Sequence, residues 1–465
     1  MTSLADPDTP DTWSELRVGI DRILESWSAG VPSEVYIGWY TTIYNHCINT
    51  RTSSSQRTPG ANLMGGDLYA SLRAHLTAYL VEQVRESATT PDDVLVVYCR
   101  KWQAFTTSAQ TLNHVFSYLN RHWVKREIDE GQRGVYDIYT LCLVSFRDNY
   151  LLQTHDKLTD SFLDKVAKQR NGETVDTGML KQVVQSLVSL GMDERDVKKS
   201  SLDLYVKHLE NPFISSTQEF YKVASDAYIS SQSVPEYIVK AARWLDDEDV
   251  KVQVYLHPST ASRLVSAVEQ ALITEHAERI QACFQDLLDR DRVGDLERMF
   301  KLLARVPVTL EPLRELFEAH VRKIGIQAIE TLVRAQAEQA DQTSTPKDDE
   351  PEEESKEQRK KKQATKNEID PRLFTETLLS VYAKYNQLAK DAFGSEPGFV
   401  ASLDKACREF VNRNQVCVQG SSKSPELLAK YCDSLLRKSS KQAQEGEIDT
   451  LLNSVVRLVY VDDGV

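Results

Sequence analysis

The sequence predicts an all-α protein built from stacked helical bundles. Glycine (18) and proline (15) are scarce among its 465 residues, well below the roughly 12% that they usually supply together. Along most of the chain, apolar residues recur at spacings of three and four, which is the period of an amphipathic helix. Val250 to Leu256 alternates like a strand, but it is isolated among helical patterns. We therefore interpret it as the end of a helix.

Five helical patterns occupy the first 130 residues. Serine, threonine or aspartate before a pattern caps its first turn, and glycine or proline separates neighbouring patterns. The patterns begin near Thr12, Ser33, Leu68 and Pro91, and at Thr107 or Ser108. This spacing predicts a compact unit of five helices.

The second pattern, residues 33–47, carries an unusual number of large side chains. Its members are Tyr36, Ile37, Trp39, Tyr40, Ile43 and Tyr44, followed by Cys47. The three tyrosines repeat every four residues, so they lie along one face. Periodicity alone favours a core position for such a stripe. Tyrosine and tryptophan also suit a protein interface, because each has an apolar body and a polar tip. The residues leave both interpretations open.

Helical patterns continue to about residue 334 and resume at Pro371. Between them, residues 339–370 form a charged segment that contains KDDEPEEE and RKKK. It has no apolar face, and we expect it to be disordered. The run RKKK at 359–362 fits a nuclear localisation signal, although its acidic neighbours favour a solvated loop. The carboxylates at 246–249 are interpreted as a solvated helix end.

Composition excludes several classes of protein. The net charge of −13 argues against general binding of nucleic-acid phosphates, which requires a basic surface. Seven scattered cysteines without a CxxC pair indicate reduced thiols in a cytosolic or nuclear protein. No apolar run approaches the roughly 18 residues of a membrane span. The acidic start is unlike a signal peptide.

No sequence motif indicates catalysis. Phosphate-binding glycine loops, the nucleophile elbow of hydrolases and the HExxH zinc motif are missing from the sequence. His114 and His122 are eight residues apart, and His46 precedes Cys47. Neither arrangement has the spacing of a metal site. We therefore expect no catalytic residue, no cofactor and no metal ion.

Four long stretches resemble cullins, the scaffolds of ubiquitin ligases. They are YLNRHWVKREIDEGQRGVYDIYTLCLVSFRD at 118–148, VQVYLHPST at 252–260, GFVASLDKACREFVN at 398–412 and KSPELLAKYCDSLLRKSSK at 423–441. Weaker similarity runs from residue 13 to about residue 460. The first and last stretches are most similar to cullins of the SCF type. The resemblance implies three stacked five-helix cullin repeats forming a curved stalk, followed by the first helices of a four-helix bundle.

The resemblance also implies domain boundaries. The first, adaptor-binding repeat would cover residues 11–155, the second 156–275 and the third 276–420, with the charged segment 339–370 as an insertion. Residues 421–465 would begin the four-helix bundle. Cullins continue into a region that holds the RING subunit and the neddylated lysine. We therefore expect this chain to be an N-terminal portion.

In cullins of this type, the second and fifth helices of the first repeat bind a Skp-type adaptor, which carries an F-box substrate receptor. Carried onto this sequence, the resemblance implies an adaptor-binding site composed of Tyr36, Ile37, Trp39, Tyr40, Ile43, Tyr44, Asn113, His114, Val115, Tyr118 and Asn120. The implied function is that of a non-catalytic scaffold in the cytoplasm and nucleus.

Other partners follow from the same resemblance. A HEAT-repeat cullin exchange factor is a further candidate, and the RING-box subunit would bind only through the C-terminal region that this sequence lacks. Neither nucleic acid nor a membrane is expected as a partner. The alternative outside the family is a helical-rod tethering subunit of exocyst type, which the aromatic stripe and the four matching stretches disfavour. Within the family, the SSKSPELLAKYCDSLL stretch disfavours a cullin that binds a BTB protein directly.

Overall fold

A computed structural model describes residues 12–25, 30–48, 65–89, 93–192, 200–342, 369–416 and 423–442. Within these ranges the chain is helical, and its only β-type pairing is an isolated bridge between Met192 and Ser200. The prediction of an all-α protein is therefore confirmed. No helix in the same ranges combines the length and apolar character needed to cross a lipid bilayer.

The first nine helices reach residue 254. Their bounds are α1 (Thr12–Glu25), α2 (Ser33–Ile48), α3 (Gly66–Thr89), α4 (Val94–Val115), α5 (117–129), α6 (138–170), α7 (Thr177–Leu190), α8 (203–231) and α9 (Val234–Val254). One π-helical turn interrupts each of α5, α6 and α8, at Asn120–Val124, Arg147–Leu151 and Val206–Glu210. Val250 to Leu256 ends α9, as predicted.

Eight further helices follow. They are α10 (261–274), α11 (Ala277–Ala282), α12 (Phe284–Asp289), α13 (Val293–Leu303), α14 (Glu311–Gln342), α15 (Pro371–Phe393), α16 (Pro397–Asn412) and α17 (Lys423–Gln442). Helix α14 continues four residues into the charged segment predicted to be disordered. Residues 343–368 of that segment lie outside the described ranges.

The chain divides into two compact units. One comprises Met1–Glu219 with Asp247–Val265, and the other comprises Phe220–Asp246 with Ser266–Val465. The three repeats and the bundle assigned from the sequence follow a different division, and their boundaries stay predictions. The six described cysteines are free thiols, as expected.

The five predicted helices before residue 130 are confirmed, but the boundary between the fourth and fifth was wrong. Residues 94–115 form one helix, so neither Thr107 nor Ser108 begins a new one. The Thr107 hydroxyl donates to the carbonyl of Gln103, and the Ser108 hydroxyl donates to the carbonyl of Ile23. The Thr107 hydroxyl therefore bonds within α4 and the Ser108 hydroxyl bonds to α1, so neither caps a helix start. Asp93 caps α4 by accepting a hydrogen bond from the Leu95 N–H.

Aromatic side chains form the centre of the first unit. Phe146 of α6 stacks on Tyr150 at 4.9 Å between ring centroids, and Trp102 and Phe105 of α4 lie 5.2 and 5.1 Å from it. The buried hydroxyl of Tyr98 shares a 2.8 Å hydrogen bond with Ser186 of α7. This cluster holds α4, α6 and α7 together through apolar burial, and the hydroxyls of both its tyrosines are hydrogen-bonded.

A comparable cluster fills the second unit. Phe393 of α15 stacks on Phe399 of α16 at 4.1 Å, and Phe317 of α14 meets both rings edge-on. Beside it, the buried imidazole of His320 lies 2.8 Å from the Tyr385 hydroxyl. The apolar periodicity of these helices is therefore used for packing.

One carboxylate of the acidic run at 246–249 is buried, contrary to the expectation of a solvated helix end. The Glu248 side chain lies 3.0 Å from the guanidinium of Arg170 and 2.8 Å from the ammonium of Lys251, and all three side chains are at least nine-tenths buried. Arg170 also donates to the Thr217 hydroxyl at 2.7 Å. Charges at this depth are tolerated when they are paired and hydrogen-bonded. The network joins α6, α8 and α9.

Burial alone would raise the pKa of Glu248. The positive charges of Arg170 and Lys251, together with their hydrogen bonds, outweigh that effect and hold the pKa below the ordinary value of 4.5. The carboxylate is therefore ionised near neutral pH. Its charge compensates the two buried cations.

Replacing Glu248 by glutamine should lower the free energy of unfolding of the first unit by about 3–5 kcal/mol, because two buried cations lose their counter-charge. Urea unfolding followed by tryptophan fluorescence measures the change. Glu297→Gln is the matched control, since Glu297 pairs with Lys301 on the surface and such pairs contribute at most about 1 kcal/mol. Equal losses for the two variants would contradict the buried-network interpretation.

The same network predicts a dependence of stability on pH. Because the pKa of Glu248 is lower in the folded than in the unfolded chain, its stabilising contribution is complete above pH 4.5 and is lost as the pH falls through the folded-state value. The difference in unfolding free energy between wild type and Glu248→Gln should therefore shrink in acid. A difference that stays constant from neutral pH into the acid range would show that ionisation of Glu248 does not stabilise the fold.

Candidate functional site

Helix α2 has one fully buried side. Ile43 is 0% exposed and Cys47 is 4% exposed. Burial, with a smaller contribution from the negative charge of Asp67, raises the pKa of the Cys47 thiol to about 11. The thiol is therefore uncharged and packs as an apolar group. Cys47 therefore lies on the core side of α2.

Trp39 fixes α2 against α1. Its indole ring occupies the space that a side chain at Gly19 would need, so the two helices approach closely at this point. Gly19 itself is buried. Trp39 thus packs largely within the unit, although the sequence placed it in the binding site.

The opposite side of α2 is an exposed stripe. Ile37, Tyr44 and Ile48 are 59%, 39% and 44% exposed, and Thr41 lies between them on the same face. Their spacing of four, three and four residues is that of a single helix face. Sequence reasoning missed Ile48, although its position four residues after Tyr44 would have identified it.

The tyrosines of α2 connect this stripe to α4 and α5. Tyr36 donates its hydroxyl to the carbonyl of His114 at 3.1 Å. Tyr44 meets Tyr118 edge to face at 4.8 Å, and Tyr118 in turn lies 4.3 Å from the ring of His122. Edge-to-face contacts of this kind hold both rings in fixed orientations.

Only some of the predicted residues on α4 and α5 are accessible. His114 is exposed and Tyr118 is partly exposed, whereas Val115 is buried at 2%. Asn113, His114 and Val115 lie near the end of α4 and not on the fifth helix. They belong to α4 because residues 94–115 form one continuous helix, and Val115 lies on the buried side of that helix.

The side chains of Asn113 and Asn120 form hydrogen bonds between neighbouring helices. The side-chain oxygen of Asn113 accepts hydrogen bonds from the side-chain amide of Asn120 at 2.8 Å and from the backbone N–H of Tyr139 at 3.2 Å. The side-chain oxygen of Asn120 accepts a hydrogen bond from the backbone N–H of Ile138 at 3.0 Å. These bonds connect α4, α5 and the start of α6. They therefore fix the helix segments that carry His114 and Tyr118.

The structure therefore narrows the predicted set of residues. Ile43 and Val115 are in the core, Trp39 packs on α1, and the asparagines are internal cross-links. The accessible residues, here termed the α2 surface, are Ile37, Tyr40, Thr41, Tyr44, Ile48, His114 and Tyr118, with Tyr40 and Tyr118 only partly exposed. These groups combine aromatic and apolar bodies with polar tips, which is the composition of a protein interface.

The α2 surface contains no paired carboxylates and no nucleophile with an adjacent base. Among the described residues, no group of three or more histidine, cysteine, aspartate or glutamate side chains is arranged to hold a metal ion. The chemistry that this surface supports is binding.

Comparison with known proteins identifies the family. The Cullin alpha solenoid domain matches residues 13–463, nearly the whole chain. The chain belongs to the cullin family. Its helices are therefore those of an α-solenoid. The match disfavours the exocyst-type tethering subunit, which was the alternative outside the family. The resemblance noted in the sequence is confirmed.

Several cullins are similar over most of this chain. Cullin-1 of Dictyostelium discoideum is 38% identical and Cullin-1 of Schizosaccharomyces pombe is 36% identical, each over 97% of this chain and 56% of the relative. Cell division control protein 53 of Saccharomyces cerevisiae is 29% identical over 93% of this chain and 54% of the relative. The chain thus spans about half the length of the curated relatives that it matches.

The two sides of α2 should respond differently to mutation. Ile43→Ala should lower the free energy of unfolding by about 2–5 kcal/mol, because it leaves a cavity in a packed core. Ile37→Ala, six residues earlier on the exposed side, should change it by no more than about 0.5 kcal/mol. Urea unfolding of the two variants provides the measurement. A large loss for Ile37→Ala would show that this side of α2 is also packed.

Proposed function

We propose that this chain is the adaptor-binding part of an SCF-type cullin–RING ubiquitin ligase scaffold, and that it binds a Skp-type adaptor carrying an F-box substrate receptor through the α2 surface. The observation that carries the proposal is the exposed stripe of Ile37, Tyr44 and Ile48 on a helix whose opposite side is fully buried. Similarity to Cullin-1 from two organisms supports the choice of ligase type.

The α2 surface has the features of an interface hot spot. Such sites centre on a few aromatic and large apolar residues that become fully desolvated in the complex. Tyr44 and Tyr118 hold each other in place edge to face, so little side-chain freedom is lost when a partner covers them. His114 supplies a polar group at the rim.

The proposed role is positional and not catalytic. A scaffold that fixes the distance between substrate receptor and ubiquitin donor supplies proximity and orientation, which can lower a barrier by several kcal/mol. That role requires the adaptor site to be held firmly within its own unit. The Trp39–Gly19 contact holds α2 beside α1. The hydrogen bond from Tyr36 to the His114 carbonyl holds it beside α4, and the Tyr44–Tyr118 contact holds it beside α5.

We extend the proposal to the remaining partners and to location. A HEAT-repeat cullin exchange factor would be a further binding partner of this chain. A RING-box subunit would bind C-terminal sequence beyond the part of the relatives that this chain matches. The scaffold would act in the cytoplasm and the nucleus.

The double variant Ile37→Ala/Tyr44→Ala should weaken binding of a purified Skp-type adaptor with its F-box protein by about 100-fold or more, because hot-spot truncations cost about 2 kcal/mol or more each. Isothermal titration calorimetry measures the dissociation constant. The chain should show unchanged helicity by circular dichroism, since both side chains are exposed.

The matched control is Val308→Ala/Val223→Ala, which removes two exposed apolar side chains from the second unit and should leave the affinity unchanged. A second test is Tyr40→Ala/Tyr118→Ala, which should abolish binding. If Ile37→Ala/Tyr44→Ala and Tyr40→Ala/Tyr118→Ala both bind the adaptor with wild-type affinity, the α2 surface is excluded as the adaptor site.

A further inference from the structure

An apolar groove in the described part of the first unit shares no residue with the α2 surface. It has a volume of about 710 Å³ and runs between α7 and the end of α9. Val184 and Val188 form one wall, and Val252, Val254 and Leu256 form the other. Its volume is within the range of about 300–1,000 Å³ that ligand sites occupy.

The apolar surface of the groove is accessible at Val254 and extends along α9 to Val250. Val254 is 38% exposed, and Val250, one helical turn earlier on α9, is 54% exposed. Single exposed apolar residues are ordinary, but a groove continuous with two exposed valines is a contiguous patch of the kind that marks an interaction site. A partner that covered it would bury both valines.

The charges at the groove are unusual for this protein. The chain has 69 acidic residues and a net charge of −13, yet no aspartate or glutamate lines the groove. The polar members are Lys181, Gln185, Ser189, Gln253 and His257. Lys181 is exposed, and no ion pair in the described part of the chain engages it. The rim therefore offers an uncompensated positive charge.

We propose that this groove is a second docking site, which takes a short segment of another protein that carries apolar side chains next to a carboxylate. The valine walls bury the apolar side chains, and Lys181 pairs with the carboxylate at the rim. The complementarity is electrostatic as well as apolar, because the groove lining contains Lys181 and no carboxylate. The exposed Asp246 and Asp247 precede Val250 on α9 and are not part of the lining. This site is separate from the α2 surface and does not depend on the proposed adaptor binding.

Selection from a phage-displayed library of random peptides of about twelve residues tests the proposal on the full 465-residue chain. Enriched peptides should combine apolar residues with aspartate or glutamate. The affinity of a synthetic, fluorescein-labelled enriched peptide is then measured by fluorescence anisotropy. Val254→Glu should weaken it at least about tenfold, because it places a charge in the apolar wall.

Lys181→Glu provides a second variant that cannot disturb the core, since the side chain is exposed. This variant should bind the acidic peptide more weakly than wild type does. A peptide in which lysine replaces the acidic residue should bind the variant more tightly than the acidic peptide does. Val308→Glu is the matched control, because Val308 is 86% exposed in the second unit, and it should bind the peptide as wild type does.

Four outcomes would overturn the proposal. The first is enrichment of peptides that bind Val254→Glu as tightly as wild type, and the second is enrichment of basic peptides. The third is that a small apolar dye such as 1-anilinonaphthalene-8-sulfonate binds, while the variants weaken the binding of no enriched peptide. That result would indicate a small-molecule site. The fourth is self-association of the chain that Val254→Glu abolishes, which would make a second copy the occupant.

Discussion

The burial of Ile43 and Cys47 determines what the rest of α2 can do. Both side chains are enclosed by the first unit, so the helix cannot rotate without exposing them, and the face that carries Ile37, Tyr44 and Ile48 must point outward. Desolvation of two core side chains is favourable by a few kcal/mol. That free energy keeps three large apolar groups in water, where they are available to a partner.

Periodicity was sufficient to predict the fold class, because a helix is recognised by the spacing of apolar residues along the chain. It was not sufficient to divide the aromatic stripe between core and surface. Trp39 is covered because Gly19 lacks a side chain, and Val115 is buried because α4 continues through Thr107. Such contacts join residues far apart in sequence, and a single-helix pattern carries no information about them.

Glu248 illustrates the same limit for charged residues. In the sequence it is one of four consecutive acidic positions, and an acidic run usually marks a solvated surface. In the structure its neighbours Asp246 and Asp247 are exposed while Glu248 is buried beside Arg170 and Lys251. The partner that decides the outcome, Arg170, is 78 residues away. Only the assembled helices reveal that one acidic position in the run is structural.

Net charge gives the two proposed binding surfaces a common physical basis. A strongly acidic exterior repels other acidic proteins and suppresses non-specific association. Interface cores, by contrast, are depleted of charged residues. The α2 surface and the groove beside Val254 share that depletion, for neither contains an aspartate or glutamate among its defining residues. In a chain with 13 more acidic than basic residues, an apolar surface whose defining residues include no carboxylate is therefore a stronger indicator of a partner than apolar exposure alone.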